Sequence, residues 1–125
     1  MANYNYTTLD EVLAVINHAV EREGEVQRIK STRGDYAAVE FKTWQGKDGK
    51  MHSRICIEYS HGFGSYNMEE SGRVEVVEAI LVALNCRLKI GKEYKRLFRD
   101  VIRVNNPAHP LYNHIVDIAS GEVIL

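Results

Sequence analysis

The sequence predicts an α+β domain in which an antiparallel sheet of three to five strands packs against about three helices. Two periodicities support this prediction, since some segments repeat apolar residues at helical spacing and others alternate apolar with polar residues. Apolar residues make up 45% of the chain and charged residues 26%, which is typical of globular proteins. The 125 residues are enough for one domain, so residues 1–125 are expected to form a single unit.

The first predicted helix lies in "TTLDEVLAVINHAVEREG". Thr8 and Glu11 have the spacing of a capping box, and Gly24 is expected to end the helix. The apolar positions that recur at helical spacing are Leu9, Val12, Leu13, Ile16, Ala19 and Val20.

A three-stranded antiparallel meander is predicted next. Its strands are "EVQRIKST", then "YAAVEFKTW" after the turn "RGD", and a third strand that starts at Met51 after the turn "QGKDGK". On the second strand one face is expected to carry Ala37, Val39, Phe41 and Thr43. On the third strand one face is expected to carry Met51, Ser53, Ile55, Ile57 and Tyr59. The segment "SHGFGSYNMEESG" that follows is predicted to be a loop.

The second half of the chain predicts two further helices and a closing hairpin. "RVEVVEAILVALN" is expected to be helical after an N-cap at Ser71, although its β-branched residues leave a strand open. Its inward residues are Val74, Val77, Ile80, Leu81 and Leu84. "CRLKI" predicts a short strand, "KEYKRLFRDVIRV" a third helix, and "HIVDIASGEVIL" a hairpin. The buried stripe of that third helix would be Tyr94, Leu97, Phe98, Val101 and Ile102.

Charge is balanced over the chain but concentrated in one segment. The net charge of −1 gives no overall attraction to membranes or duplex nucleic acid. Seven basic residues and two acidic residues lie between Arg87 and Arg103. On a helix, one stripe would present Lys92, Arg96, Arg99 and Arg103. Such a stripe favours an anionic ligand or an acidic partner, with simple solvation as the alternative.

The candidate ligand site combines this stripe with two polar segments. Pro107 and Pro110 in "VNNPAHPLYNHIVDI" stop the helix, which explains them structurally, but the same bend presents amide, imidazole and phenol groups. The two glycines of "HGFGSYN" suit either a backbone anion nest or a flexible surface loop. Together with guanidinium groups these side chains suit a nucleotide-like anion. The predicted ligand-binding residues are Arg99, Arg103, Asn105, Asn106, His109, Tyr112, His114, His61, Phe63 and Tyr66.

No catalytic residue, metal site or cofactor is predicted. The histidines and cysteines lack the spacing of a zinc or facial-triad site, and no nucleophile motif is present. Cys56 and Cys86 lie in apolar surroundings, which favours buried thiols in a reducing, cytoplasmic compartment. No apolar run approaches the roughly 18 residues of a membrane span.

The leading functional hypothesis is a non-catalytic protein that binds a nucleotide-like small molecule. The alternatives are a protein-interaction or inhibitor module that uses the basic helix, and a metal-independent nuclease or nucleotide hydrolase. In size and layout, over most of its length, the chain resembles the phage-encoded Thoeris anti-defence proteins. That resemblance implies an oligomeric, non-enzymatic protein of the host cytoplasm that sequesters cyclic ADP-ribose-type immune signals. It carries over no individual residue.

The apolar chain end predicts a homodimer. "EVIL" ends on Ile124 and Leu125, and leaving both side chains exposed would forfeit about 1.5–3 kcal/mol each. A two-fold partner would bury both copies at once. Burial against the sheet of the same chain is the alternative.

Overall fold

The structure is a computed structural model that describes residues 6–31, 33–59, 62–67, 72–96 and 99–125. Within these residues the α+β class and the mostly antiparallel pairing are confirmed, and the helices number two where about three were predicted. The elements are β1 (Tyr6–Thr8), α1 (Leu9–Glu21), β2 (Gln27–Lys30), β3 (Tyr36–Gln45), β4 (Met51–Tyr59), β5 (Gly62–Asn67), α2 (Gly72–Leu84), β6 (Arg87–Ile90), β7 (Glu93–Arg96), β8 (Val101–Arg103) and β9 (Ile115–Asp117).

Helix α1 begins with the predicted capping box. The Glu11 N–H donates to the Thr8 hydroxyl oxygen at 3.1 Å, and the Glu11 carboxylate accepts the Thr8 N–H at 3.4 Å. Arg22 is the C-cap, so the helix ends before Gly24. Gly24, at φ +84°, instead turns the chain towards β2, and its N–H donates to the Phe41 carbonyl at 3.2 Å.

The predicted meander forms three strands of a four-stranded sheet in the order β2-β3-β4-β5. Val39 pairs with Ile57 and Phe41 with Ile55, so the predicted alternation places these side chains on one face. Val39, Ile55 and Ile57 are at most 1% exposed, while Phe41 is partly buried against the same core. The predicted hairpin is confirmed in position, and its register brings the apolar faces of the two strands together.

The predicted loop "HGFGSYN" is wrong for residues 62–67, which form β5 and pair with β4. A Cβ atom on Gly62 would lie 2.9 Å from the Tyr59 hydroxyl, and one on Gly64 would lie 2.9 Å from the Tyr66 hydroxyl. The glycines therefore leave room for two tyrosine rings that pack over the strand backbone. Because a glycine adds no side chain to an alternating pattern, the strand was not recognisable from periodicity.

The predicted third helix is also wrong. The predicted strand β6 instead continues through Gly91 and Lys92 into β7 as a two-residue hairpin, and β8 pairs with β9. Gly91 has φ +61°, as both common forms of such a turn require at the first central position. Val101 is fully buried, whereas Ile102 is 52% exposed, which is the alternation of a strand. Ser71, Leu97 and Phe98, which carried predictions for the two later helices, lie outside the described residues.

Gly91→Ala is expected to lower the free energy of unfolding by about 1–2 kcal/mol, because an L-residue is strained at this positive φ. Urea unfolding followed by circular dichroism measures the change. Lys92→Ala in the same turn is the matched control, because Lys92 is exposed and its backbone φ is not positive. This substitution should change the free energy of unfolding by less than about 0.5 kcal/mol. Equal effects of the two variants would contradict the turn geometry.

One hydrophobic cluster joins both helices to strands of each sheet. Helix α2 contributes its buried stripe, close to the predicted one except that Val76 is buried and Val74 only partly so. Leu88, Val101 and Ile115 extend the cluster to β6, β8 and β9. Neither helix in the described ranges has the length and apolar character that crossing a membrane requires.

The chain end folds back on its own subunit. Val116 and Val123 form an antiparallel bridge, and the Ile124 N–H donates to the Ile115 carbonyl at 2.8 Å. Ile124 and Leu125 are partly buried against the core of the same chain. This arrangement matches the alternative in which the chain end is buried against the sheet of the same chain. The burial of Ile124 and Leu125 therefore does not require a partner subunit, and the homodimer stays a prediction.

Asp117 fixes the turn that makes this return possible. Its carboxylate accepts the N–H of Ala119 at 2.9 Å and of Ser120 at 3.2 Å, and Lys95 Nζ lies 3.5 Å away. The N–H of Ser120, then that of Ala119 and the Lys95 charge, hold the pKa of Asp117 below its ordinary value of 3.8, against the opposing effect of burial. Only 6% of the residue is exposed.

The lowered pKa of Asp117 predicts a pH dependence of stability. Its contribution is fully present above the unfolded-state value near 3.8 and is lost as pH falls through the lower folded-state value. Wild type should therefore lose more thermal stability than Asp117→Asn between about pH 5 and about pH 2. If the two proteins lost the same thermal stability as the pH fell, the ionised carboxylate would not stabilise the turn.

Candidate functional site

The proline-containing bend is a long hairpin loop between β8 and β9, and it does not follow a helix. The Val104 N–H donates to the His114 carbonyl and the Asn113 N–H to the Val104 carbonyl, both at 2.9 Å. These bonds extend the β8–β9 ladder beyond its last strand residues. Pro107 and Pro110 lie in the turns at the far end of the loop.

Several predicted ligand groups of the bend already bind the backbone. The Asn106 amide oxygen accepts the Ala108 N–H at 3.0 Å, and His109 Nδ1 accepts the Leu111 N–H at 3.0 Å. His114 Nδ1 lies 3.1 Å from the Leu125 carbonyl oxygen. These bonds favour the structural explanation of the bend. Asn105 and Tyr112 are exposed in the same loop.

The two predicted arginines lie at opposite ends of β8. Arg99 is exposed in the turn that precedes the strand. Arg103, its last residue, reaches helix α2, where its Nε is 3.0 Å from a Glu78 carboxylate oxygen and its Nη1 is 3.7 Å from Glu75. Two carboxylates therefore surround the Arg103 guanidinium, and an incoming phosphate would have to compete with them.

The aromatic residues of β5 are on opposite faces of the sheet. Phe63 pairs with Glu58 on the outward face and is 66% exposed, whereas Tyr66 pairs with Ile55 on the core face. His61 lies outside the described residues. Of the predicted ligand-binding residues, the described part of the chain brings Tyr66 and Arg103 to one cleft.

This cleft, about 200 Å³ in volume, lies between helix α2 and strands β4, β5 and β8. Its lining residues are Tyr59, Tyr66, Glu75, Glu78, Ala79, Val82 and Arg103. Burial raises the pKa of Tyr66, and Tyr59, Glu75 and Glu78 raise it further. Two glutamates against one arginine leave the cleft with an excess negative charge.

A second candidate site is the outward face of the sheet β1-β6-β7, named here the basic face and formed by Tyr6, Arg87, Lys89, Tyr94 and Arg96. Tyr6 and Arg96 both pair with Arg87, and Tyr94 pairs with Lys89, so these side chains share one side of the sheet. The intervening residues Thr7 and Leu88 are 4% and 1% exposed and point to the core.

Two tyrosine rings meet over the centre of the basic face. The ring centroids of Tyr6 and Tyr94 are 5.1 Å apart with an interplanar angle of 42°. Because β6 separates their strands by two strand spacings of about 4.8 Å, both rings must lean over β6. Tyr6 is 47% exposed and Tyr94 38%, and Lys89 Nζ lies 5.9 Å from the Tyr94 ring centroid. The pair forms an accessible aromatic platform beside a cation.

The strand residues of the basic face carry three positive charges and no carboxylate. Glu93 points the other way and pairs with Lys95 at 3.0 Å. Asp100, in the turn after β7, accepts the Arg96 backbone N–H at 3.0 Å and offsets part of the charge at that end. This face was not predicted from the sequence, although the alternation of Arg87 and Lys89 with the apolar Leu88 and Ile90 is a signal that could have indicated it.

The described residues offer little to metal or thiol chemistry. They include no group of three His, Cys, Asp or Glu side chains that could hold a metal ion. Cys56 and Cys86 are both buried, as predicted, and burial raises the pKa of the Cys86 thiol to about 11. That thiol is therefore protonated and unreactive at neutral pH.

Comparison of the chain with protein-family models, curated proteins and solved structures finds no match.

Proposed function

We propose that this protein is a non-catalytic binding protein for an anionic, nucleotide-like ligand, and that the ligand binds at the basic face. One observation supports this most strongly. Two exposed tyrosine rings lie 5.1 Å apart on a sheet face whose three charged side chains are all cationic. A planar base with attached phosphates complements both features.

The pairing of Arg87 with Arg96 gives the anion a specific place. These residues lie directly opposite each other on adjacent strands, where Cβ atoms are about 4.5–5.5 Å apart and like charges destabilise the sheet. A phosphate bound by Arg96 would offset that repulsion and accept hydrogen bonds from its guanidinium group and from the Lys89 ammonium group. The base would then stack on Tyr6 or Tyr94.

The resemblance in size and layout to phage Thoeris anti-defence proteins extends this proposal to sequestration of a cyclic ADP-ribose-type signal in the host cytoplasm. The layout that suggested it included two later helices, of which the described residues contain one. A ligand of this type has the adenine ring and phosphates that the basic face complements. A homodimer that buries the ligand between two copies belongs to the same proposal.

Calorimetric titration tests binding with ATP, ADP-ribose and inorganic pyrophosphate as probes. Both nucleotides should bind more tightly than pyrophosphate, because only they can stack, and added salt should weaken all three. Ligand at a 100-fold excess over its Kd should also add about 2.7 kcal/mol of stability. If neither ATP nor ADP-ribose bound, the proposal would be overturned.

Two controls separate the alternative functions. Nucleotide recovered intact by chromatography after incubation supports a non-catalytic role, whereas its hydrolysis would favour the nuclease or hydrolase hypothesis. Poly-glutamate tests the protein-interaction hypothesis. Because the predicted basic helix is wrong, the surface that would meet an acidic partner is now the basic face. If poly-glutamate displaces the nucleotide and binds regardless of Tyr6 and Tyr94, the surface recognises acidic proteins and not bases.

A further inference from the structure

We infer that the cleft between α2 and the β4–β5 strands is a second site, which binds a guanidinium or ammonium group carried on a slender alkyl chain. This inference does not depend on the ligand of the basic face. It rests on the steric construction of the cleft, on its charge, and on the arginine that already lies in it.

The cleft is built around two tyrosine rings. Tyr59 and Tyr66 lie over Gly62 and Gly64, where any Cβ atom would come within 2.9 Å of a tyrosine hydroxyl. Both rings therefore reach the cleft only because β5 carries glycine at these positions. Aromatic faces attract cations that are partly removed from water, so this wall suits an amine or guanidinium.

The facing wall supplies the charge. Glu75 and Glu78 are three residues apart on α2, which places them on one side of the helix. Arg103 shows that a guanidinium is accepted, since its nitrogens lie 3.0 Å from Glu78 and 3.7 Å from Glu75. Arg103 contacts both carboxylates, but its single positive charge leaves a net charge of −1 that a second cation would balance.

The remaining space limits the ligand to a small one. A volume of about 200 Å³ is below the range of clefts that hold drug-sized molecules, roughly 300–1,000 Å³. Ala79 and the half-exposed Val82 provide an apolar wall for the methylene groups of an alkyl chain. Agmatine and 1,4-diaminobutane have the required charge and width, and they serve as probes for the two head groups.

Titration calorimetry of the full chain with both probes tests the site. Glu78→Gln should weaken binding of the better probe by about tenfold, whereas Arg103→Gln should strengthen it, because the internal cation no longer competes. Glu58→Gln, on the outward face of β4, is the matched control and should leave affinity unchanged. Tyr66→Leu should weaken binding and provides a second variant if one substitution impairs folding.

The opposite signs expected for Glu78 and Arg103 make the outcome decisive. Weaker binding by Arg103→Gln would overturn the inference and make Arg103 the ligand's own partner. Absence of binding by both probes at about 1 mM would overturn it as well. Neither result would affect nucleotide binding at the basic face, so the two sites succeed or fail separately.

Discussion

Ile57→Ala is expected to lower the free energy of unfolding by about 2–5 kcal/mol, a large part of the roughly 5–15 kcal/mol that a domain possesses. Ile57 is 1% exposed in β4, between Val39 of β3 and Gly64 of β5. Truncation would leave a cavity under the sheet face that packs against both helices, and Gly64 has no side chain to fill it. Urea unfolding monitored by circular dichroism measures the loss.

Ile102→Ala is the matched control, because it makes the same chemical change in a strand at a position that is 52% exposed. Its effect should stay below about 0.5 kcal/mol. If Ile102 proved as costly as Ile57, the helical interpretation of residues 92–104, which buries Ile102, would regain support over the β6–β7 hairpin.

The double variant Lys89→Gln and Arg96→Gln is expected to weaken nucleotide binding by about a hundredfold. Each charged hydrogen bond to phosphate contributes about 1.5 kcal/mol or more, which corresponds to about tenfold in affinity. The substitutions also remove two of the three positive charges of the basic face and should reduce the salt dependence of binding. Calorimetric titration with ATP at two salt concentrations measures both effects.

Two control variants locate the ligand. Lys47→Gln with Lys50→Gln removes two exposed charges from the β3–β4 turn and should leave affinity almost unchanged, since that turn lies outside the basic face. Tyr94→Leu should weaken binding, while Tyr112→Leu in the proline-containing bend should not. The reverse outcome for the two tyrosines would place the nucleotide at the bend.

The elements predicted correctly from sequence are those with strong local determinants. The capping box of Thr8 and Glu11 fixes the start of α1, and alternation in residues 36–44 and 51–59 specifies the two strands of the β3–β4 hairpin. These features need no knowledge of distant contacts. The intrachain burial of Ile124 and Leu125 was one of two alternatives that composition alone could not separate.

The elements predicted wrongly depend on tertiary pairing. Val101 and Ile102 fit a helical stripe, yet in β8 one is buried and the other is half-exposed. Residues 93–96 pair with β6 as a strand, and this tertiary pairing overrides the helical periodicity of the same residues. The positively charged segment was recognised, but the predicted stripe of Lys92, Arg96, Arg99 and Arg103 is wrong. Of its charges, sheet register brings Arg96 onto one face with Arg87 and Lys89.

The candidate site shows the same limit. Tyr66 and Arg103 were both predicted to bind ligand and do line one cleft, but Glu75 and Glu78, which set its charge, were not among the predicted residues. They are ordinary polar positions of a largely apolar helix until β8 brings Arg103 against them. Tyr6 likewise acquires significance only through its contact with Tyr94.

The most direct test of the basic face as a nucleotide site is a titration of the isotope-labelled protein with ATP, followed by backbone amide chemical shifts. The largest changes should fall on Tyr6 and on residues 87–89 and 94–96, while residues 105–114 stay unchanged. Shifts confined to the bend or to the α2 cleft, or no shifts at saturating nucleotide, would contradict the proposed function.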